Sequence, residues 1–334
     1  MNIYITLDYE LFFGNSGSPE KCIIEPTNKL IEIANKHNFK CVFFVDSGYL
    51  IKLKQYKEKF PKLEKDYNLV VDQIKSLSDE GHDIQLHIHP HWEDTIYKND
   101  KWEFNLSRYR LDAFSETEID DIFKKYINVL EEITQKKVNT YRAGGWCIQP
   151  FDKLRKAFIN NNIKIDSTVF YKGQNLTKTQ WFNFKKAKKN DFWKFSNDPC
   201  LEDIDGEFIE LPIASTKVSP FFFLKFIFVK KIGMKKHKAF GDGNASTTSN
   251  KQIMSLLTRY SYSVVSIDGY KSSLLSKAFK THNKENKKNF VIIGHPKAFT
   301  DYSLGKLDKF IEKRIKNNSI NVFSDINIDN YLNK

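Results

Sequence analysis

Short apolar runs of strand length alternate with helical stretches along most of this chain, and that alternation limits its fold more than any other feature. Ile3–Asp8 reads as a first strand. Glu25–His37 reads as a helix, with Leu30, Ile31, Ile33 and Ala34 at helical spacing and Pro26 in the first turn, where proline is tolerated. Cys41–Asp46 is a continuous apolar run of the kind buried in parallel sheets. A lysine-rich connection follows, then a helix from about Tyr67 to Glu80 and a strand through Ile84, Leu86 and Ile88. Residues 93–114 read as a long polar and aromatic loop. The next helix, Ser115–Thr134, opens on Ser115 and Glu118 in the pattern of a capping box. Val138–Ala143, Pro150–Asn161 and Ile163–Val169 repeat strand, helix and strand. Helices near Lys251–Tyr260, Ser272–His282 and Leu304–Ile315, with strands Phe290–Gly294 and Asn321–Asp325, complete the pattern. Such a chain is α/β, a parallel barrel or a doubly wound sheet.

The alternation breaks between residues 171 and 250. This stretch is aromatic and basic, with short strand-like runs at Phe192–Phe195 and Glu207–Pro212. It reads as an insertion with β character inside a single domain spanning residues 1–334. Its segment 220–238 joins an apolar run, Phe221–Val229 with Lys225 inside it, to a basic tail. The run is far below the ~20 residues needed to span a bilayer. The preferred expectation is burial of its phenylalanines against the barrel with the lysines outward. The alternative is peripheral contact with an anionic membrane surface.

With 334 residues, 40% hydrophobic and 14% aromatic, the chain can build a large core. Its net charge of +12 comes from lysines dispersed over the whole sequence. Pairs such as Lys185-Lys186 and Lys188-Lys189 sit in no helix-turn-helix or finger pattern, so nucleic acid is not an expected partner. The four cysteines, Cys22, Cys41, Cys147 and Cys200, form no Cys-x-x-Cys pair and suggest neither a zinc knuckle nor a disulfide framework. The first residues enter a strand without a basic head or a cleavage site. With free thiols, this reading expects the cytoplasm.

The chemistry is concentrated at strand ends. His87, His89 and His91 fall within five residues, at or just past the strand that follows Gly81. Neutral imidazole is the commonest metal ligand, and α/β proteins place their sites at strand ends. Pro90 pushes His89 towards an extended conformation. Asp8 and Glu10, Arg142, Asp166 and His295 stand at the ends of other strands, which suggests one pocket at one mouth of a barrel. Two imidazoles and a carboxylate leave an open position on zinc or a similar divalent ion, as catalytic sites do. His89 is expected to line the pocket and His82 to sit in a turn; His37, His237 and His282 receive no role.

These residues resemble the motifs of the polysaccharide deacetylase family, carbohydrate esterase family 4 with the NodB homology domain. Thr6-Leu7-Asp8-Tyr9-Glu10 is similar to the family's Thr-Phe-Asp-Asp-Gly. Gly81-His82-Asp83-Ile84 leading to His87 and His91 resembles its histidine motif, and Arg142-Ala143-Gly144-Gly145 its arginine motif. Asp166-Ser167-Thr168 and the strand ending at His295 are similar to the last two. The resemblance covers about residues 1–170 and 285–330. It implies a distorted (β/α)7 barrel of the glycoside hydrolase/deacetylase type that removes an acetyl group from an N-acetylated sugar with one divalent metal, most readily zinc. The substrate would be nucleotide- or lipid-linked and belong to surface polysaccharide biosynthesis. It also implies roles. Asp8, held by Arg142, would be the general base, and His295, oriented by Asp166, the acid. His87 and His91 would bind the metal. Tyr9 stands where the family has its second aspartate, so Glu10, on the same face of a straight strand as Asp8, is expected as the third ligand, with Asp8 the alternative. Trp92, Gly144, Gly145 and Trp146 are the expected substrate contacts.

Two other functions compete. A metal-dependent barrel hydrolase of the amidohydrolase type would use a His-x-His pair, which His87–His89 and His89–His91 both fit, although such enzymes carry it on the first strand. A non-catalytic glycan- or lipid-binding homologue is the third reading.

Overall fold

The computed structural model describes residues 1–244 and 250–332; residues 245–249 of the expected insertion lie outside the described residues. The chain divides into two compact units, Met1–Lys40 with Ile213–Asn321 and Cys41–Pro212 with Val322–Lys334. The stretch 171–250 is thus shared between them.

The first unit is built on the strand Asn2–Tyr9, which pairs in parallel with Asn289–Gly294 in the register Leu7↔Gly294. Its N-terminal end also pairs with the short strand Ser319–Ile320. Parallel bridges from Ile213 to Val291 and from Ser266 to Ile293 extend the other side of Asn289–Gly294. Both main strands are almost wholly buried, which fits their mainly apolar sequence. The helix Glu25–His37 has the bounds read from its periodicity and ends at Asn38 in the left-handed conformation. The strand expected at Asn321–Asp325 is instead a 3-10 turn of the second unit, Phe323–Asp325, in which the Asp325 carboxylate accepts the Val322 N–H.

In the second unit the order of strands is Trp193–Phe195, Phe208–Glu210, Ile165–Asp166, Thr140–Ala143, Asp83–Ile88 and Val42–Asp46. All neighbours are parallel except the antiparallel first pair. The helices Ser47–Tyr56, Pro61–Asp79 and Glu116–Thr134 pack on the strand Asp83–Ile88. The first of these was hidden in the lysine-rich connection, because its buried apolar side chains are only Tyr49, Leu50 and Leu53. The capping box at Ser115 and Glu118 is formed in both directions. Within the expected loop 93–114, Ile96–Lys98 and Lys101–Glu103 make a hairpin. Its turn residues Asn99 and Asp100 both have positive φ, the conformation of a tight two-residue turn.

Candidate active site

The parallel register of the second unit sets the histidines in place. His87 stands opposite Asp46 on one neighbouring strand and Arg142 on the other. Its Nδ1 lies 2.8 Å from the Arg142 carbonyl oxygen. A carbonyl only accepts, so Nδ1 carries the proton and Nε2 keeps the lone pair a metal needs. His89 is extended, as Pro90 requires, and Pro90–Asp94 winds into a 3-10 helix. The rings of His87 and His89 are 4.8 Å apart between centroids, and each offers a ligand nitrogen within 4.8 Å of the other. His91 is turned instead into an aromatic stack, nearly parallel to Tyr109 at 5.7 Å and to Trp92 at 5.5 Å. The partner of His87 is therefore His89, and the expected pairing with His91 is corrected. Pro90 ends the strand, so the alternation of faces that would align His87 with His91 does not continue.

Gly144 shows how tightly this corner is built. A Cβ there would lie 2.5 Å from the Ile88 carbonyl oxygen and 2.6 Å from His89 Nδ1. Gly144 makes room for the histidine, which replaces its expected substrate contact with a packing role. Gly145 adopts φ +59°, and a side chain there would strike the Tyr109 hydroxyl. Trp146 follows with φ 61°, a left-handed conformation that costs a bulky residue energy and marks functional positions. It is half-buried against Phe170 and Phe182.

Trp92 is a second correction. It is wholly buried, donates its indole N–H to Asp46 Oδ2 at 2.6 Å, and packs on Tyr49, Trp102 and Phe104. A tryptophan in that position supports the histidine turn from beneath and has no face to offer a sugar.

Arg142 is also buried. Its Nε donates to the Ser167 carbonyl at 2.7 Å, and its guanidinium lies 4.0 Å from the centre of the Phe44 ring. Asp166 accepts from the Thr168 hydroxyl at 2.6 Å and from the Thr168 N–H at 3.1 Å. Its neighbour in register on the adjacent strand is Glu210, a buried carboxylate that sequence reading passed over. Burial raises the pKa of both; for Glu210 the nearby Asp166 charge raises it further. Two such groups share a proton. The signal was available as a single acid inside the apolar run Phe208–Leu211.

The first unit holds the other half of the predicted residues. Asp8 and Glu10 leave the first strand on the same face, as their spacing requires. His295 Nε2 is 3.5 Å from Asp8 Oδ2 and 3.9 Å from Glu10 Oε1. His295 Nδ1 is 2.8 Å from Asp268 Oδ2, and the Asp268 Oδ1 accepts the His295 backbone N–H, also at 2.8 Å. The orienting carboxylate is therefore Asp268, and the role expected of Asp166 is corrected. Asp268 ends the run Val264–Ile267, which the Ser266–Ile293 bridge carries alongside the strand leading to His295. It obeyed the same strand-end rule as the other site residues, but its strand had not been recognised. Burial alone would lower the imidazole pKa; Asp268, then Asp8 and Glu10, outweigh it and lift it to about 9. Burial pushes the Asp268 carboxyl up, but His295 wins and holds it below its ordinary value.

Lys297 was also missed. It is buried, donates to Glu10 Oε1 at 2.9 Å and to the Leu11 carbonyl at 2.5 Å, and lies over the rings of Phe12 and Phe13.

Residues 3–148 match the family described as polysaccharide deacetylase. No curated protein matches the sequence significantly. Among solved structures, the Puue allantoinase is 9% identical, with 99% of this chain and 89% of that one covered at a TM-score of 0.50. The Bc1960 peptidoglycan N-acetylglucosamine deacetylase is 14% identical, with 97% and 86% covered at 0.41. The polysaccharide deacetylase Bc1974 from Bacillus cereus is 11% identical, with 97% and 94% covered at 0.41. At such identities the likeness is one of fold, and the chain has the α/β fold of the (β/α)7 barrel class.

Proposed function

Residues 3–148 of this chain match the polysaccharide deacetylase family, and from that premise we propose that the protein is a metal-dependent hydrolase of N-acetylated sugars. The observation that carries the proposal is His295, oriented at Nδ1 by Asp268 and facing the carboxylates of Asp8 and Glu10 through Nε2. An imidazole held in this way is a proton donor beside a proton acceptor, the pair that amide hydrolysis requires.

The donor set suits a divalent ion. His87, with its Nε2 lone pair fixed by the Arg142 carbonyl, and His89 supply two imidazoles; Glu10 is assigned as the carboxylate. Nitrogen and oxygen donors of this kind match zinc. When bound, the ion would polarise the acetyl carbonyl and lower the pKa of water. Asp8 takes the proton from the attacking water as its oxygen bonds to the acetyl carbon. His295 gives its Nε2 proton to the sugar nitrogen as the C–N bond breaks, so acetate and a free amine leave. Asp268 holds His295 in the required orientation and Lys297 holds Glu10. Trp146, half-buried and left-handed in backbone conformation, is the sugar-stacking candidate. The substrate is assigned as nucleotide- or lipid-linked, in surface polysaccharide biosynthesis. A cytoplasmic location fits the buried thiols of Cys22, Cys147 and Cys200.

A second reading has one observation in its favour. The Lys297 ammonium already neutralises Glu10 without any metal. On that reading the protein binds glycan and releases no acetate. The two separate in one experiment: metal analysis of protein purified without chelator, with acetate release from a panel of N-acetylated nucleotide sugars, oligosaccharides and lipid-linked sugars. Bound metal and released acetate uphold the hydrolase. Metal-free protein that binds the panel without releasing acetate replaces it with the glycan-binding reading.

A further inference from the structure

The helix Pro220–Ile232 has no buried residue, although nine of its first ten positions are apolar. The expected burial of its phenylalanines is only partial: Phe222, Phe223 and Phe226 are half-buried, and Phe221 and Phe228 are exposed. One side rests on its own unit: Phe222 stacks on Tyr270 at 5.6 Å, Phe226 approaches the same ring, and the helix Asn250–Thr258 lies alongside. The opposite side carries Phe221, Leu224, Phe228 and Ile232, exposed by 62%, 52%, 64% and 51%. Their spacing puts them in one stripe along the helix. Met254 of the neighbouring helix is exposed by 62% as well. Most large exposed apolar side chains among the described residues lie between Phe221 and Tyr260. Apolar surface concentrated in this way marks a contact face.

Charge identifies what the face meets. From Leu211 to Gly241 the sequence holds Lys217, Lys225, Lys230, Lys231, Lys235, Lys236 and Lys238 and no Asp or Glu. The helix dipole accounts for Lys230 and Lys231 in the last turn. It does not account for Lys225, whose ammonium lies 4.6 Å from the centre of the exposed Phe221 ring, or for the lysines beyond the helix. Lysine stems that run along apolar side chains and end in ammonium groups suit a boundary between acyl chains and anionic headgroups. A second copy of this face would bring lysines against lysines. A folded protein partner would need an acid placed for each of them, whereas a layer of headgroups meets all of them without register. The helix has 13 residues. At 1.5 Å per residue it is roughly 20 Å long, against about 30 Å for a bilayer core. No helix among the described residues is long and apolar enough to cross a membrane. A helix of this length suits the plane of a bilayer surface and not a span across it.

We propose that the exposed face of Pro220–Ile232, with the lysines from Lys225 to Lys238, docks the protein on an anionic lipid bilayer. The docking does not depend on the chemistry proposed above.

The test is co-sedimentation of the full chain with vesicles of phosphatidylcholine alone and of phosphatidylcholine mixed with phosphatidylglycerol. The protein is expected to pellet with the mixed vesicles and to bind the neutral ones at least ~10-fold more weakly. Leu224→Asp with Phe228→Asp changes only exposed side chains; it should keep the wild-type circular dichroism and lose vesicle binding. Replacing Lys230, Lys231, Lys235 and Lys236 by Ser should weaken binding to mixed vesicles on the order of 100-fold or more. Three outcomes overturn the proposal: protein that stays in the supernatant with both vesicles at low salt, binding that both variants leave unchanged, or a dimer that Leu224→Asp with Phe228→Asp dissociates in a protein that binds no vesicles.

Discussion

Asp268 holds His295 at two points, its Oδ2 2.8 Å from the imidazole Nδ1 and its Oδ1 2.8 Å from the backbone nitrogen. The double contact fixes the ring plane and directs Nε2 at Asp8 and Glu10. Asp268→Asn keeps a side chain of the same shape but presents an amide that favours the other tautomer. Turnover should fall by on the order of 100-fold or more, with KM little changed. Imidazole nitrogen shifts in the NMR spectrum should report the altered tautomer. Unchanged turnover would return the orienting role to another residue.

Metal binding should distinguish the three histidines. His87→Ala and His89→Ala should each abolish bound metal measured by elemental analysis, because each removes one of few protein ligands. His91→Ala should retain metal and lose stability through the Tyr109 and Trp92 stack. Gly144→Ala should behave like a ligand mutant without replacing a ligand, since its methyl collides with the Ile88 carbonyl and the His89 ring. Metal lost from His91→Ala and kept by His89→Ala would restore the pairing expected from the sequence.

The two tryptophans should part in opposite ways. Trp92→Ala empties a fully buried site and removes a donor from the Asp46 carboxylate, so denaturant melts should show a loss of about 3–5 kcal/mol. Trp146→Ala removes a half-buried ring from a left-handed backbone position and should cost far less stability while raising KM. Equal stability losses in the two variants would remove Trp146 from the substrate contacts.

The Asp166–Glu210 pair gives a stability effect with a definite sign. Both pKa values are raised in the folded state, by burial first and, at Glu210, by the neighbouring charge. The folded protein therefore holds a proton that the unfolded chain releases near its ordinary carboxylate pKa. The pair's contribution is complete below that value and is lost as pH rises towards the raised folded values. Glu210→Gln supplies a permanent donor to Asp166 and still accepts the Val169 N–H, so stability should fall less steeply with rising pH than in the wild type. Glu210→Ala leaves that N–H unsatisfied and should cost on the order of 1–3 kcal/mol. Thermal melts between pH 5 and pH 8 check both; parallel pH slopes for wild type and Glu210→Gln would refute the shared proton.

Features governed by neighbours a few residues apart were determined by the sequence itself. The bounds of Glu25–His37, the capping box at Ser115 and Glu118, the extended His89 before Pro90 and the common face of Asp8 and Glu10 all follow from local sterics and the periods of helix and strand. The order of strand-end residues was legible for the same reason, and with it the resemblance of residues 3–148 to the deacetylase family and the fold class. Tertiary structure alone decided which of them meet. Asp268 reaches His295 because separate segments run beside one another, and Glu210 faces Asp166 only through the register of two parallel strands. Trp92 became a support and Phe228 stayed exposed for a related reason. A side chain's burial depends on what the rest of the chain places over it, and no period in its own neighbourhood encodes that.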